Sequence, residues 1–148
     1  MRAVLQRVSS ASVTVAGELR GEIGAGLLVL VGVSRTDTEA DARWLAGKVA
    51  GLRVLRDGHR DEASAVSVGA PVLVVSLFTL YADRTSGRRP SWQAAAPAAT
   101  AEPLVTAFCT ELRALGLPVA TGEFGATMAV RSVNDGPLTL LVETPGQS

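Results

Sequence analysis

Side-chain nucleophilic catalysis needs a serine, threonine or cysteine with a base beside it, most often a histidine. In these 148 residues His59 is the only histidine, and it stands between Gly58 and Arg60 in a polar stretch where a solvated loop residue is expected. Cys109 is the only cysteine. That count excludes an intrachain disulfide and a Cys-cluster zinc site, and the place beside Phe108 on an apolar helical stripe fits an inert, partly buried thiol. There is no HExxH segment and no carboxylate-plus-histidine spacing, so neither a metal nor another cofactor is expected. Two candidate segments remain. One is 76–83, Ser-Leu-Phe-Thr-Leu-Tyr-Ala-Asp, where the hydroxyls of Ser76 and Thr79 punctuate an apolar strand and its end; the other is Asn134-Asp135-Gly136-Pro137. Pattern alone leaves both open, because the hydroxyls can equally bond neighbouring backbone and these four residue types dominate turns.

The elements that must position these segments follow from periodicity. Residues 4–15 alternate apolar and polar, and Ala16-Gly17-Glu18 is a turn into a second strand ending near residues 24–26, which makes a β-hairpin. Residues 27–33 are a continuous run rich in β-branched side chains, expected as a central strand covered on both faces. Thr36-Asp37-Thr38-Glu39 has capping-box spacing, and Trp44, Leu45, Val49 and Leu52 behind it predict a first helix. Residues 57–67 are polar and irregular, and 71–81 carry the strongest strand signal in the chain, again with both faces covered. A long connection, 82–100, holds Arg84, Arg88 and Arg89 and is a candidate functional loop. From Ala101 onward, Leu104, Phe108, Leu112 and Leu115 form the stripe of a second helix that Gly116 and Pro118 stop. Strands near 127–131 and 138–142 flank the Asn134–Pro137 segment. The order of elements predicts an α/β fold, a single domain with a mixed, curled sheet and two main helices packed on it.

Composition sets outer limits. With 14 basic and 14 acidic residues the formal charge is zero, so a large positive field for gripping a nucleic-acid backbone is excluded and any RNA contact must be local. Apolar residues make up 47% of the chain but never run to the roughly 18 needed for a membrane span, and the amino-terminal residues alternate like a strand rather than forming a leader. A soluble protein of a reducing compartment, the cytoplasm, is expected.

On Met1-Arg2-Ala3-Val4-Leu5-Gln6-Arg7-Val8, 26–30, Gly87-Arg88-Arg89-Pro90-Ser91-Trp92, Phe124-Gly125-Ala126-Thr127-Met128 and 133–139, the chain resembles the bacterial-type D-aminoacyl-tRNA deacylase family over nearly its whole length. The family's signatures are an SQFTL strand end, here Ser76 to Leu80, and an N-x-G-P-[VL]-T segment, here Asn134 to Thr139. Leu77 stands where the motif has glutamine, and the Met-Asn pair often found ahead of that strand is missing from 60–64.

The resemblance implies a single deacylase domain over 1–148 that hydrolyses the ester of D-aminoacyl-tRNA, with glycine mischarged on tRNA(Ala) as a further substrate. It places Ser76, Phe78 and Thr79 at the chemistry, and Leu77, Asn134, Gly136 and Pro137 around the substrate. It also implies a homodimer in which a cis Gly136-Pro137 bond enters the partner's site and Arg7 helps to hold the partner's Gly-Pro segment, while Arg88 and Arg89 meet the acceptor end. The missing base is then no obstacle. An aminoacyl ester is activated, its ribose carries a vicinal hydroxyl, and one well-aimed backbone N–H at the oxyanion supplies about 3–4 kcal/mol. Leu77 keeps two alternatives in view: a sister proofreading deacylase of different selectivity, and a weakened paralogue that binds the tRNA end.

Overall fold

A computed structural model describes residues 1–58 and 60–146; His59 lies outside them. Strand β1 (Arg2–Val15) is the organising element. It pairs antiparallel with β2 (Glu18–Ile23), with β3 (Gly26–Gly32) and, along its other edge, with β8 (Ala129–Glu143). Ala16 and Gly17 both have positive φ, 50° and 81°, so the hairpin turns where the sequence placed it. Beyond β3 the sheet continues in parallel through β6 (Val72–Ser76) and β7 (Val119–Thr121), giving a mixed six-stranded sheet in the order β2-β1-β3-β6-β7 with β8 on β1. The sheet curls until its ends meet: a Cβ on Gly21 of β2 would lie 2.7 Å from the Thr121 carbonyl oxygen of β7.

Strand parity builds two cores. Leu27, Val29 and Val31 of β3 and Val72 and Val74 of β6 face α1 (Glu39–Gly51) and α3 (Ala98–Ala114). Leu28, Leu73 and Val75 face into the curl with Val8, Val13 and Ile23. Both β3 and β6 are thus covered on two faces, as their unbroken apolar runs require. Helix α3 begins at Ala98, ahead of the expected Ala101, and buries Leu104, Phe108 and Leu112 while Leu115 is exposed.

Several expectations are corrected. The capping pair of α1 is Thr38 with Asp41, whose Oδ2 accepts the Thr38 N–H at 2.7 Å, and not Thr36 with Glu39. Asp37 is drawn inward instead by the Met1 ammonium at 2.7 Å and the Ser34 N–H at 2.6 Å. Trp44 is exposed because the buried stripe runs through Ala42, Leu45, Ala46, Val49 and Ala50, the i, i+3, i+4, i+7, i+8 pattern. The polar stretch after residue 54 holds β4 (Leu55–Asp57), β5 (Arg60–Ala63) and the short helix α2 (Ala65–Val68). The run 71–81 is not one strand: β6 stops at Ser76 and a 3-10 turn (Phe78–Tyr81) follows. The two strands expected around residues 134–137 are one strand, β8, and the segment between them is a bulge.

Candidate active site

A cavity of about 580 Å³ opens at the carboxyl ends of the parallel strands β3 and β6, the usual ligand crevice of such sheets. Its floor is apolar, from Leu28, Leu30 and Val75, and α3 contributes Ala101 and Val105. Ser76, Leu77 and Phe78 lie in its wall. Thr79 is exposed one residue on, outside the lining.

The wall turns because of a glycine on the neighbouring strand. The Leu77 N–H donates to the Val31 carbonyl at 2.8 Å, the last bond of the β6 ladder, and the chain then folds back over Gly32. A Cβ on Gly32 would lie 3.0 Å from both the Leu77 carbonyl oxygen and the Leu80 Cβ, tighter than a side chain normally packs. Leu80 and Ala82 donate their N–H groups back to Leu77 and Thr79, at 3.4 and 3.1 Å. Phe78 and Thr79 open this turn, so their N–H groups have no acceptor within it, and none is found among the other described residues. Two adjacent donors therefore stand free, that of Phe78 in the cavity wall and that of Thr79 one residue beyond it.

An edge-on ring contact, 5.1 Å between the centroids of Phe78 and Trp92, ties the turn to the long loop. That loop closes on itself where Asp83 and Ser91 exchange two backbone hydrogen bonds of 2.7 Å. The Asp83 carboxylate accepts from the Thr85 N–H at 2.9 Å and hydroxyl at 2.7 Å, bonds that hold its pKa below the usual carboxylate value. Arg84, Arg88 and Arg89 ride on this stapled lobe, all exposed.

The bulge of β8 is built with comparable economy. Val8 pairs with Asn134 and Gln6 with Thr139, so β8 advances five residues (139 − 134) while β1 advances two (8 − 6). Asn134 closes the loop: its Oδ1 accepts the Leu138 N–H at 3.0 Å and its Nδ2 donates to Thr139 Oγ1 at 3.1 Å. Its amide is thus engaged in shaping the backbone. Arg7, only 8% exposed, fills the inner side, with Nε donating to the Asp135 carbonyl at 2.9 Å and Nη1 to the Val54 carbonyl at 3.0 Å. Arg56 grips the Asp135 carboxylate from outside at 2.8 and 2.9 Å. At the tip the Gly136-Pro137 peptide is cis, Gly136 has a φ of 132°, and a Cβ there would collide with Nη2 of Arg7.

Within one chain, then, Arg7 holds that chain's own Gly136-Pro137 segment, and the segment is exposed and does not line that chain's cavity. Gln6, Phe124 and Met128 do line it and had not been singled out as site residues. Their only signal in the sequence is that they fall in the segments carrying the resemblance. Among the described residues no cluster of His, Cys, Asp and Glu is placed to hold a metal ion, and burial raises the pKa of Cys109, as befits an inert thiol.

The architecture defines an α/β protein with a ligand cavity at the carboxyl ends of parallel strands, free backbone donors at its rim and, among the described residues, no histidine or carboxylate in its wall. Residues 4–143 match the family described as D-Tyr-tRNA(Tyr) deacylase. The chain belongs to that family. It is 59% identical to a D-aminoacyl-tRNA deacylase of Acidothermus cellulolyticus, covering 97% of this chain and 99% of the relative, and 58% identical to one of Nocardia farcinica, covering 97% and 100%. Among solved structures, one titled c-Myc DNA Unwinding Element Binding Protein superposes with a TM-score of 0.91 at 38% identity over 99% of this chain and 100% of that one. A probable eukaryotic D-amino acid tRNA deacylase shares the fold, with a TM-score of 0.85 at 17% identity over 96% and 98%.

Proposed function

We infer that this chain, as a single domain over residues 1–148, hydrolyses the ester that joins a D-amino acid to the 3′ end of tRNA. Membership of the family and relatives of nearly equal length at 58–59% identity support the activity. The observation that carries the chemistry is the pair of free N–H groups of Phe78, in the cavity wall, and Thr79, next to it at the rim. Water adds to the ester carbonyl, the oxygen that becomes negative accepts from these donors, and the acyl C–O bond breaks with the ribose oxygen taking the proton. The vicinal ribose hydroxyl assists. Ser76 and Leu77 shape the wall beside the acyl group. Incubating the purified protein with matched D- and L-aminoacyl-tRNAs tests this: the D ester is lost and the L ester persists, whereas equal rates or no loss of either would refute it. The same assay with glycyl-tRNA(Ala) examines glycine as a further substrate.

Selectivity is assigned to Gly136-Pro137 acting on a second copy of the chain. The segment stands exposed outside its own cavity, and Val133, Leu140 and Leu141 on the same strand present large apolar side chains to the surface, as an interface between copies requires. The bulge of one chain then walls the cavity of the other, leaving room for the side chain of only one enantiomer. Arg88 and Arg89, on the stapled lobe, receive acceptor-end phosphates. No described helix is long and apolar enough to cross a membrane, and the cytoplasm, where tRNA is charged, is the proposed location. Sedimentation at micromolar concentration reads the assembly; a fully active monomer would remove the cross-subunit wall.

A further inference from the structure

A second cavity, about 250 Å³, lies along α3 and shares Ser76, Val105 and Phe124 with the first. Its character differs. Where the first is walled mainly by apolar side chains, this one is lined by the Glu102 carboxylate, the Thr106 and Thr121 hydroxyls and the Arg113 guanidinium. Glu102, Thr106, Cys109 and Arg113 recur at intervals of four, three and four residues (106 − 102, 109 − 106, 113 − 109), so they form one stripe of the helix. Eleven residues of helix put Glu102 about 16 Å from Arg113 along the axis, too far for the two charges to satisfy each other. Neither makes an ion pair with any described residue, and Arg113 spends one N–H on the Val119 carbonyl at 3.4 Å. The groove therefore offers an acceptor near the first cavity and a cationic fork at its far end.

Resting on the deacylase reading, we propose that this groove receives the cytidine that precedes the terminal adenosine of tRNA. Every tRNA ends in CCA, so one continuous channel that holds the terminal adenosine in the first cavity must dispose of a cytidine next. The shared wall at Ser76, Val105 and Phe124 is where the strand passes from one to the other. A carboxylate is the acceptor that suits the exocyclic amine of cytosine. A guanidinium fork suits the phosphate on its 5′ side, and the order of the two along α3 matches the direction of the strand.

The test compares D-tyrosyl esters of adenosine, of the dinucleotides CpA and UpA, and of pCpA, which adds the phosphate on the 5′ side of the cytidine. In the unaltered protein kcat/KM for the CpA ester exceeds that for the adenosine ester by about tenfold and exceeds that for UpA as well. Glu102→Ala abolishes the preference for CpA over UpA; the unaltered protein prefers the pCpA ester to the CpA ester, and Arg113→Ala brings that ratio close to one, with Arg113→Lys between. Equilibrium binding of unacylated pCpA, CpA, UpA and adenosine gives the same comparison without turnover. Equal treatment of all four ligands by the unaltered protein, or ratios that the substitutions leave as they were, would overturn the proposal. Preferential binding of CpA by a protein that hydrolyses none of the esters would refute the hydrolase reading and leave the subsite standing.

Discussion

The Arg2 guanidinium donates from Nη1 to the Leu80 carbonyl at 3.0 Å and lies 4.5 Å above the centre of the Tyr81 ring, so the first strand holds the 3-10 turn that carries the free donors. Arg2 is the cross-strand partner of Gly32, the residue over which the turn folds, and its Nε sits 3.2 Å from the Glu143 carboxylate of β8. Three strands thus converge on one turn through one side chain. Arg2→Ala should lower kcat roughly tenfold, equivalent to about 1.4 kcal/mol, with KM little altered, because the donors are displaced while the cavity persists. Arg2→Lys should recover only part of the loss, since an ammonium cannot both reach the carbonyl and lie flat on the ring. Single-turnover deacylation and KM measurements decide it; a lower melting temperature with kcat intact would make Arg2 a stability contact only.

Gly136 is the position where backbone and guanidinium come closest. Its φ of 132° is a conformation that side-chain-bearing residues rarely adopt, and an added methyl group meets Arg7. Arg7 cannot yield easily, being fixed by two carbonyls and buried. Gly136→Ala should therefore displace the tip of the bulge, reducing kcat/KM on D-aminoacyl-tRNA by about a hundredfold, or ~2.7 kcal/mol. The tip is exposed, so the loss of stability is smaller. Deacylation and thermal unfolding of the same preparation make the comparison, and a variant as unstable as it is inactive would refute it.

What sequence reasoning could and could not reach follows from how far apart the deciding contacts lie. Strands β1, β2, β3 and β6 and helices α1 and α3 declare themselves through periods of two and 3.6 residues, which are local properties. The end of β6 does not, because it is set by Gly32, more than forty residues earlier. Asn134-Asp135-Gly136-Pro137 has the composition of a turn, yet Arg7 and the register of β1 keep both flanks in one strand. Arg7 itself looks like a surface residue of an alternating strand; it is buried because β1 changes allegiance there, from the core around Leu5 to the core around Val8. Residue types alone single out Ser76, Thr79 and the Asn134–Pro137 segment, and the resemblance gives them roles, whereas Gln6, Phe124 and Met128 need the closed sheet.

Tyr81 gives a handle on pH. Burial, and next the Asp37 carboxylate nearby, raise its pKa well above the ordinary tyrosine value. An acid whose folded pKa is raised contributes stability that is complete below the unfolded pKa of about 10 and is lost as pH rises beyond it. Denaturant midpoints should accordingly fall from about pH 10 upward, and Tyr81→Phe should fall less steeply over the same interval. Parallel alkaline titrations of the two proteins would contradict this.

Thr79 carries two groups that the proposed chemistry could draw on, a hydroxyl and an N–H, and they can be separated. Among the described residues the hydroxyl has no base to activate it: Thr79 is exposed, its side chain has no hydrogen-bond partner there, and the motif around it contains no histidine. Thr79→Ala keeps the N–H and should retain turnover within about tenfold of the unaltered protein, the modest cost expected when a positioning contact is lost but the chemistry is kept. Replacing the Thr79 residue by its α-hydroxy acid analogue leaves the side chain in place and turns the N–H into an ester oxygen, deleting the donor alone. Removal of one oxyanion donor costs about 10²–10³ in kcat elsewhere, and a loss of that size, with KM nearly constant, is expected here. Should the alanine variant be dead while folded and the ester analogue active, or an acyl group be trapped on the Thr79 hydroxyl, the side chain rather than the backbone would be the catalytic group.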